Sequence, residues 1–193
     1  MNILYSTIYN IYDSVFLSRA SKNYLIECYF SRLRFPMLEP LIVVLYLFFM
    51  ILTFFFMEGV AWFLHKYVMH GVGWFLHEDH HRYTGKRFEK NDVFGLFFAG
   101  ISILLIFTGF FGGFDIRFFL GIGVAMYGAG YFLVHDIFFH RRVKIKYRPK
   151  SKYIKRVLHA HSVHHQKSKA HEGVCFGFLY ASKKYALPEE NPV

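Results

Sequence analysis

The chain has 193 residues, is 54% hydrophobic and 21% aromatic, and carries 12 histidines, 2 cysteines and a formal net charge of +10. This length calls for one domain, the apolar excess points to a membrane rather than to water, and Cys28 and Cys175, which form no CxxC pair, argue against a disulfide framework or a cysteine zinc site. The positive charge is compatible with nucleic acid or with an anionic membrane surface, and its placement decides between them.

Residues 1–36 contain no 18-residue apolar run and no cleavable signal pattern. The first membrane span is predicted at 41–64, where Leu41 to Met57 carries no charge; about 20 such residues cross a bilayer. Two more spans follow, at 93–113 and 118–139, separated by the short hairpin Phe114-Asp115-Ile116-Arg117. Of the 23 Lys and Arg residues, 13 lie beyond His140 and five lie between the first two spans, whereas the hairpin holds only Arg117. The positive-inside rule therefore makes 65–92 and 141–193 cytoplasmic. The basic surplus then faces anionic headgroups, and no nucleic-acid motif competes with that reading. An external N-terminus sits badly with Arg19, Lys22, Arg32 and Arg34. Two resolutions stand: translation from Met37, or an interfacial amphipathic segment with a different topology. A fourth membrane-embedded segment around 173–181 is left open, and 182–193 is read as a short tail.

The histidines gather at the cytoplasmic ends of these spans. His65 and His70 are followed by His77, His80 and His81; His135 and His140 are followed by His161, His164 and His165. The order H-x4-H then H-x2-H-H thus occurs twice and takes in ten of the 12 histidines. On a helix, residues three and four apart share a face, so each triplet can present its rings to one side. The five-residue pairs diverge by roughly 140° on a regular helix. They converge only through a bulge or a helix end, or else serve different ions. Imidazole suits Zn, Cu, Fe and Ni, and ten rings exceed one ion's needs, so two ions are expected. Glu58, Asp79, Asp92 and Asp136 lie near the boxes as candidates to orient ligand rings. His159 is a neighbour of the pattern, and His171 is read as solvated.

The stretches around the boxes sharpen this reading. They are Met57-Glu58, His65-Lys66-Tyr67-Val68-Met69-His70-Gly71, Trp74 with His77-Glu78-Asp79-His80-His81, Asn91-Asp92, Tyr131-Phe132-Leu133-Val134-His135-Asp136, Ala160-His161-Ser162-Val163-His164-His165 and Phe176-Gly177-Phe178-Leu179-Tyr180-Ala181. From about Met37 to Ala181 the chain resembles the bacterial β-carotene 3-hydroxylases of the fatty acid hydroxylase superfamily. The resemblance implies an all-α integral membrane protein with a hydroxylase domain over 37–181 and a di-iron site at the cytoplasmic face of the bacterial inner membrane. It also implies two non-haem irons held by the ten box histidines, O₂ as oxidant, and electrons from a ferredoxin or equivalent donor. The implied reaction is C3 hydroxylation of β-ionone rings, from β-carotene through β-cryptoxanthin to zeaxanthin. A homo-oligomer is left open. Aromatic residues of the first and third spans are candidates to line a slot for the polyene, with packing as the plainer role for most of them.

Three other readings remain to be weighed. A related di-iron lipid hydroxylase, desaturase or carotenoid ketolase would share the boxes. His77-Glu78-x-x-His81 also matches the HExxH zinc protease signature. A metal transporter or haem-binding subunit would place isolated histidines inside the spans.

Overall fold

The computed structural model describes residues 40–82, 88–166 and 173–188. Expectations for 1–36 and for His171 lie outside them. The described residues form five α-helices: α1, Pro40–Phe63; α2, Trp74–His81; α3, Asp92–Phe111; α4, Ile116–Tyr131; and α5, Lys152–His165. Two π-helical segments, Leu64–Val72 and Phe132–Phe139, continue α1 and α4, the first of them kinked at Gly71, and a 3₁₀ turn covers Lys183–Tyr185.

Among the described residues, three helices are long and apolar enough to cross a membrane: Pro40–Val72, Asp92–Phe111 and Ile116–Phe139. Their surfaces show why lipid is the solvent they require. In α1 only Met57 is buried, while Val44, Phe48, Ile51, Phe55 and Phe56 are all exposed. A helix apolar all round that turns its apolar side chains outward is stable only where the surroundings are apolar too. Three buried helices of a soluble core would show the opposite pattern. At 1.5 Å per residue, α1 alone is roughly 36 Å long and already exceeds a hydrocarbon layer of about 30 Å. Its π-helical continuation therefore stands at the membrane face, and with it His65 and His70.

The span α4 packs against both α3 and α1. Lipid offers no hydrophobic drive for such association, so close backbone approach and interhelical hydrogen bonds do the work. Gly121 and Gly123 allow that approach: a Cβ on Gly121 would meet the Ile106 backbone at 2.8 Å, and one on Gly123 would meet the Met50 carbonyl at 2.6 Å. The buried Ser102 hydroxyl donates to the Gly121 carbonyl (2.9 Å). The α3–α4 turn uses a left-handed Gly113 (φ 85°), and Asp115 caps α4 by accepting from the Arg117 N–H (3.0 Å). Aromatic residues between α1 and α4 pack on one another, Tyr46 on Phe119 and Phe54 on Tyr127.

Residues 173–181, where a fourth embedded segment was left open, form no helix. They run as an irregular strap, left-handed at Cys175 and bent at Phe178 and Leu179. Phe178 of the strap joins Met57, Val124 and Tyr127 in one core cluster, and Ala181 joins Val157, Ala160 and Tyr185 in a second. The residues read as a tail thus contribute Tyr185 to the core. Glu58 fastens the strap to the spans, accepting from the Tyr127 hydroxyl (2.8 Å) and from the Leu179 N–H (2.9 Å).

The helix contacts generate a test. Gly123→Leu forces α1 and α4 apart and destabilises the protein by about 1–3 kcal/mol, read as a lower thermal denaturation midpoint in detergent. Gly59→Ala, whose Cβ meets nothing within 4 Å, leaves that midpoint unchanged or raises it.

Candidate metal centre

The five-residue histidine pairs converge through the π-helical segments. In a π turn the backbone N–H bonds five residues back, so positions i and i+5 come onto one side. The His140 N–H donates to the His135 carbonyl (2.9 Å), and the Gly73 N–H to the Val68 carbonyl (2.7 Å), both of this register. The ring centroids of His65 and His70 consequently lie 5.1 Å apart, and those of His135 and His140 lie 4.6 Å apart. Of the routes to convergence open at the sequence level, the bulge is the one taken.

The ten box histidines form two groups of five: His65, His70, His77, His81 and His164, and His80, His135, His140, His161 and His165. Within each group the prospective ligand atoms lie within 4.8 Å of one another. The triplets do not each present three rings to one side. His77 and His81, one helical turn apart, join the first group while His80 turns to the second. On α5 the split is reversed, with His161 and His165 in the second group and His164 in the first. The two groups adjoin, with His81 and His165 stacked at 4.5 Å between centroids.

Hydrogen bonds at the outer ring nitrogens fix what the inner ones can do. The His65 Nδ1–H donates to the Phe176 carbonyl (2.9 Å), that of His164 to the Val174 carbonyl (2.6 Å), and that of His77 to Asn91 Oδ1 (2.7 Å). The His80 Nδ1–H donates to Glu89 Oε2 (2.8 Å). In a neutral imidazole, a proton on Nδ1 leaves a bare lone pair on Nε2. The Nε2 atoms of His65 and His77 nevertheless approach to 3.1 Å. Those of His70 and His164 also lie 3.1 Å apart, those of His77 and His81 3.2 Å, and those of His80 and His135 3.0 Å. For His65 facing His77, two acceptors meet with no proton between them. That is repulsive between ligand-free rings and ordinary around a cation. With metal–nitrogen bonds of about 2.1 Å, neighbouring ligands at right angles stand about 3 Å apart.

Three further atoms, Nε2 of His140, His161 and His165, are buried with no hydrogen-bond partner. Each such atom costs roughly 1–3 kcal/mol unless something satisfies it. Protonation is not the remedy. Burial holds His77 and His164 down to about 3 and His140 down to about 4, with the charge of neighbouring groups adding to the effect. His80, His161 and His165 are likewise pushed well down, first by burial and then by neighbouring histidines, His135 and His140 foremost. The rings are neutral at pH 7, with lone pairs turned inward and no proton to displace, and this donor set fits a cation in each group.

Of the acidic residues singled out by proximity, Asp136 lies nearest a box histidine, with Oδ2 3.5 Å from His135 Nδ1. Asp92 accepts from Arg142 and from the Glu89 N–H, Asp79 accepts from the Lys90 N–H, and Glu58 holds the strap. The acceptors found on ring nitrogens are others: Glu89, Asn91 and the carbonyls of Val174 and Phe176. Arg142, one of many basic residues in the tail, binds Glu89 (2.6 Å), Asp92 (2.6 Å) and Asp136 (3.0 Å) together. Glu89 and Asn91 sit in a short polar stretch that only its place after a box could have marked. Carbonyl acceptors leave no mark in a sequence at all. His159 lies outside both groups and bonds the Tyr185 carbonyl (2.8 Å).

The protease reading does not survive this geometry. Its general base, Glu78, is paired with the exposed Arg82 at 2.7 Å, and His77 and His81 share their group with three more histidines. An isolated-ligand haem site is equally at odds with two five-histidine groups.

Comparison with known proteins agrees with the histidine pattern. The fatty acid hydroxylase family model matches residues 50–182. A β-carotene hydroxylase of Pseudescherichia vulneris is 43% identical over 127 residues, covering 66% of this chain and 72% of that protein. One from Pantoea ananas is 42% identical, covering 65% and 71%. The chloroplastic β-carotene 3-hydroxylase 1 of Arabidopsis thaliana is 34% identical over 66% of this chain and 42% of its own length. No solved structure matches significantly. Both histidine groups, the strap beneath them and the spans that carry them fall almost entirely within the matched residues, and the chain belongs to the fatty acid hydroxylase family.

Proposed function

We propose that this chain is a membrane non-haem di-iron mono-oxygenase that hydroxylates C3 of β-ionone rings, taking β-carotene through β-cryptoxanthin to zeaxanthin. One observation carries the reading: two adjoining sets of five imidazoles, six of the ten buried, gathered at one end of three membrane-capable helices. The names of its relatives give the substrate. His65, His70, His77, His81 and His164 would hold one iron, and His80, His135, His140, His161 and His165 the other. Bound iron with O₂ supplies an oxidant able to attack an unactivated C–H bond, which redox-inert zinc does not.

The chain's own residues perform the remaining tasks. The carbonyls of Val174 and Phe176 and the amide of Asn91 hold the rings of His164, His65 and His77 in one tautomer and orientation. The Phe176 ring packs on His65, His70 and His164 and shields that side from water. The outward apolar faces of the spans keep the site within reach of a substrate dissolved in the bilayer. The hydroxylase unit is assigned to 37–181, at the inner membrane of a bacterium with the site facing the cytoplasm. The basic residues beyond His140 suit both anionic headgroups and an acidic, ferredoxin-type electron donor.

In a β-carotene-producing host with a working donor, the protein is expected to yield zeaxanthin with β-cryptoxanthin as intermediate. Pigment extracts containing β-carotene alone would overturn the substrate, and keto-carotenoids would make the chain a ketolase. Purified protein should hold about two irons per chain, and one zinc instead would overturn the di-iron reading. His80→Ala should abolish conversion and release iron. Glu78→Gln, a surface change, should leave conversion within about twofold of the parent.

A further inference from the structure

The carboxylates around Arg142 form a second assembly that the ligand set does not by itself explain. Glu89 Oε2 accepts from the His80 Nδ1–H (2.8 Å) and from Arg142 Nη2 (2.6 Å). Arg142 Nη1 donates to Asp92 Oδ1 (2.6 Å), and its Nε lies 3.0 Å from Asp136 Oδ1. The other Asp136 oxygen stands 3.5 Å from His135 Nδ1. Asp92 Oδ2 accepts from the Glu89 N–H (3.1 Å), and the Arg142 N–H donates to the Asp136 carbonyl (2.9 Å). All four side chains are largely buried, with the Arg142 side chain 20% exposed.

One planar guanidinium thus joins Glu89, three residues ahead of α3, to the first turn of α3 and the π-helical end of the third span. One of the three carboxylates it holds, Glu89, takes the outer N–H of His80, and a second, Asp136, stands 3.5 Å from the outer nitrogen of His135 without a hydrogen bond. Both of those histidines, His80 and His135, belong to the second group. The assembly also explains how His80 leaves its triplet: the rings of His77 and His80 have their Nδ1 atoms drawn to Asn91 and Glu89 respectively, and the inner nitrogens face different groups. Three of the rings in the first group are oriented instead by amide oxygens, those of Asn91, Val174 and Phe176. A carboxylate on the outer nitrogen raises the basicity of the inner one, and loss of such a partner costs 10- to 100-fold in metal affinity.

We infer that Glu89 and Arg142 are positioning residues for one metal ion only, the one held by His80, His135, His140, His161 and His165, and that they set its affinity and electronic environment independently of the other. This rests on the di-iron reading above. Arg142 acts through its fork: the three directions Nη1, Nη2 and Nε are what a lysine, with its single ammonium, does not reproduce.

The test uses full-length protein in detergent, loaded with ⁵⁷Fe(II) without oxygen and read by iron content after dialysis against a chelator and by Mössbauer spectroscopy. Glu89→Gln keeps the shape and removes the charge. It is expected to weaken one iron by about 10- to 100-fold, to bring retained iron from about two towards about one per chain, and to alter one quadrupole doublet while the other stays put. Arg142→Lys should alter that same doublet. Asn91→Ala, which strips the acceptor from His77, should alter the other one. The inference is overturned if Glu89→Gln changes both doublets or neither, or if Glu89→Gln and Asn91→Ala change the same one. Should Glu89→Gln not fold, Arg142→Lys against Asn91→Ala decides on the same criterion. A parent protein that binds no iron would overturn the di-iron reading itself, and two unperturbed irons in Glu89→Gln would overturn only the inference.

Discussion

Much of this structure answers to the need to gather ten imidazoles, six of them buried, with ring nitrogens turned towards one another. Such an arrangement is unfavourable in an empty protein, because buried acceptors lose water and gain nothing. It is rewarded when cations fill the two foci. The outer nitrogens therefore have to be held as firmly as the inner ones are left bare, and the fold devotes much of its polar chemistry to that. Two carbonyls of the strap, one side-chain amide and one carboxylate take up ring protons. Glu58, a carboxylate on a membrane helix, is explained by the strap it secures. A charge placed there is costly, and it serves the site through the backbone rather than by touching a ring.

The membrane and the site depend on each other geometrically. Spans that meet lipid on most of their surface have little core with which to hold loops in place, and the described part of this chain buries few apolar side chains. The box histidines consequently sit on helices or on π-helical extensions of the spans, with His140 capping the second extension, rather than on long loops. The strap is the exception. It supplies backbone carbonyls and a packed phenyl ring, and it is itself fixed by Phe178 and Ala181 in the two core clusters.

The spans were legible because a long uncharged run has few other uses, and the gathering of ten histidines was legible because the boxes occur twice in the same order. What resisted reading was the local backbone. On regular helical geometry His65 and His70 splay apart, as do His135 and His140, and nothing in their composition announces a π turn. The assignment of His80 and His164 to the opposite groups was hidden for a related reason. Spacing gives the face of a helix, but which focus a ring serves depends on what grips its far nitrogen. Asn91 and Glu89 lie 14 and nine residues from their histidines. Val174 and Phe176 act through atoms that every residue possesses. Arg142 was indistinguishable by type from the solvated lysines and arginines around it.

The crossing of His80 and His164 separates the pattern from the architecture. The sequence repeats itself in two halves, but neither focus belongs to a half. The first draws on His65, His70, His77 and His81 and then on His164; the second needs His80 from the early boxes and four histidines from the late ones. During synthesis, therefore, no focus is complete until α5 has emerged and docked. A nascent chain that has made only its first span and α2 holds four of the first five donors and a single donor of the second set. The last helix is a clasp shared by both foci, and capture of a metal there would be coupled to completion of the fold.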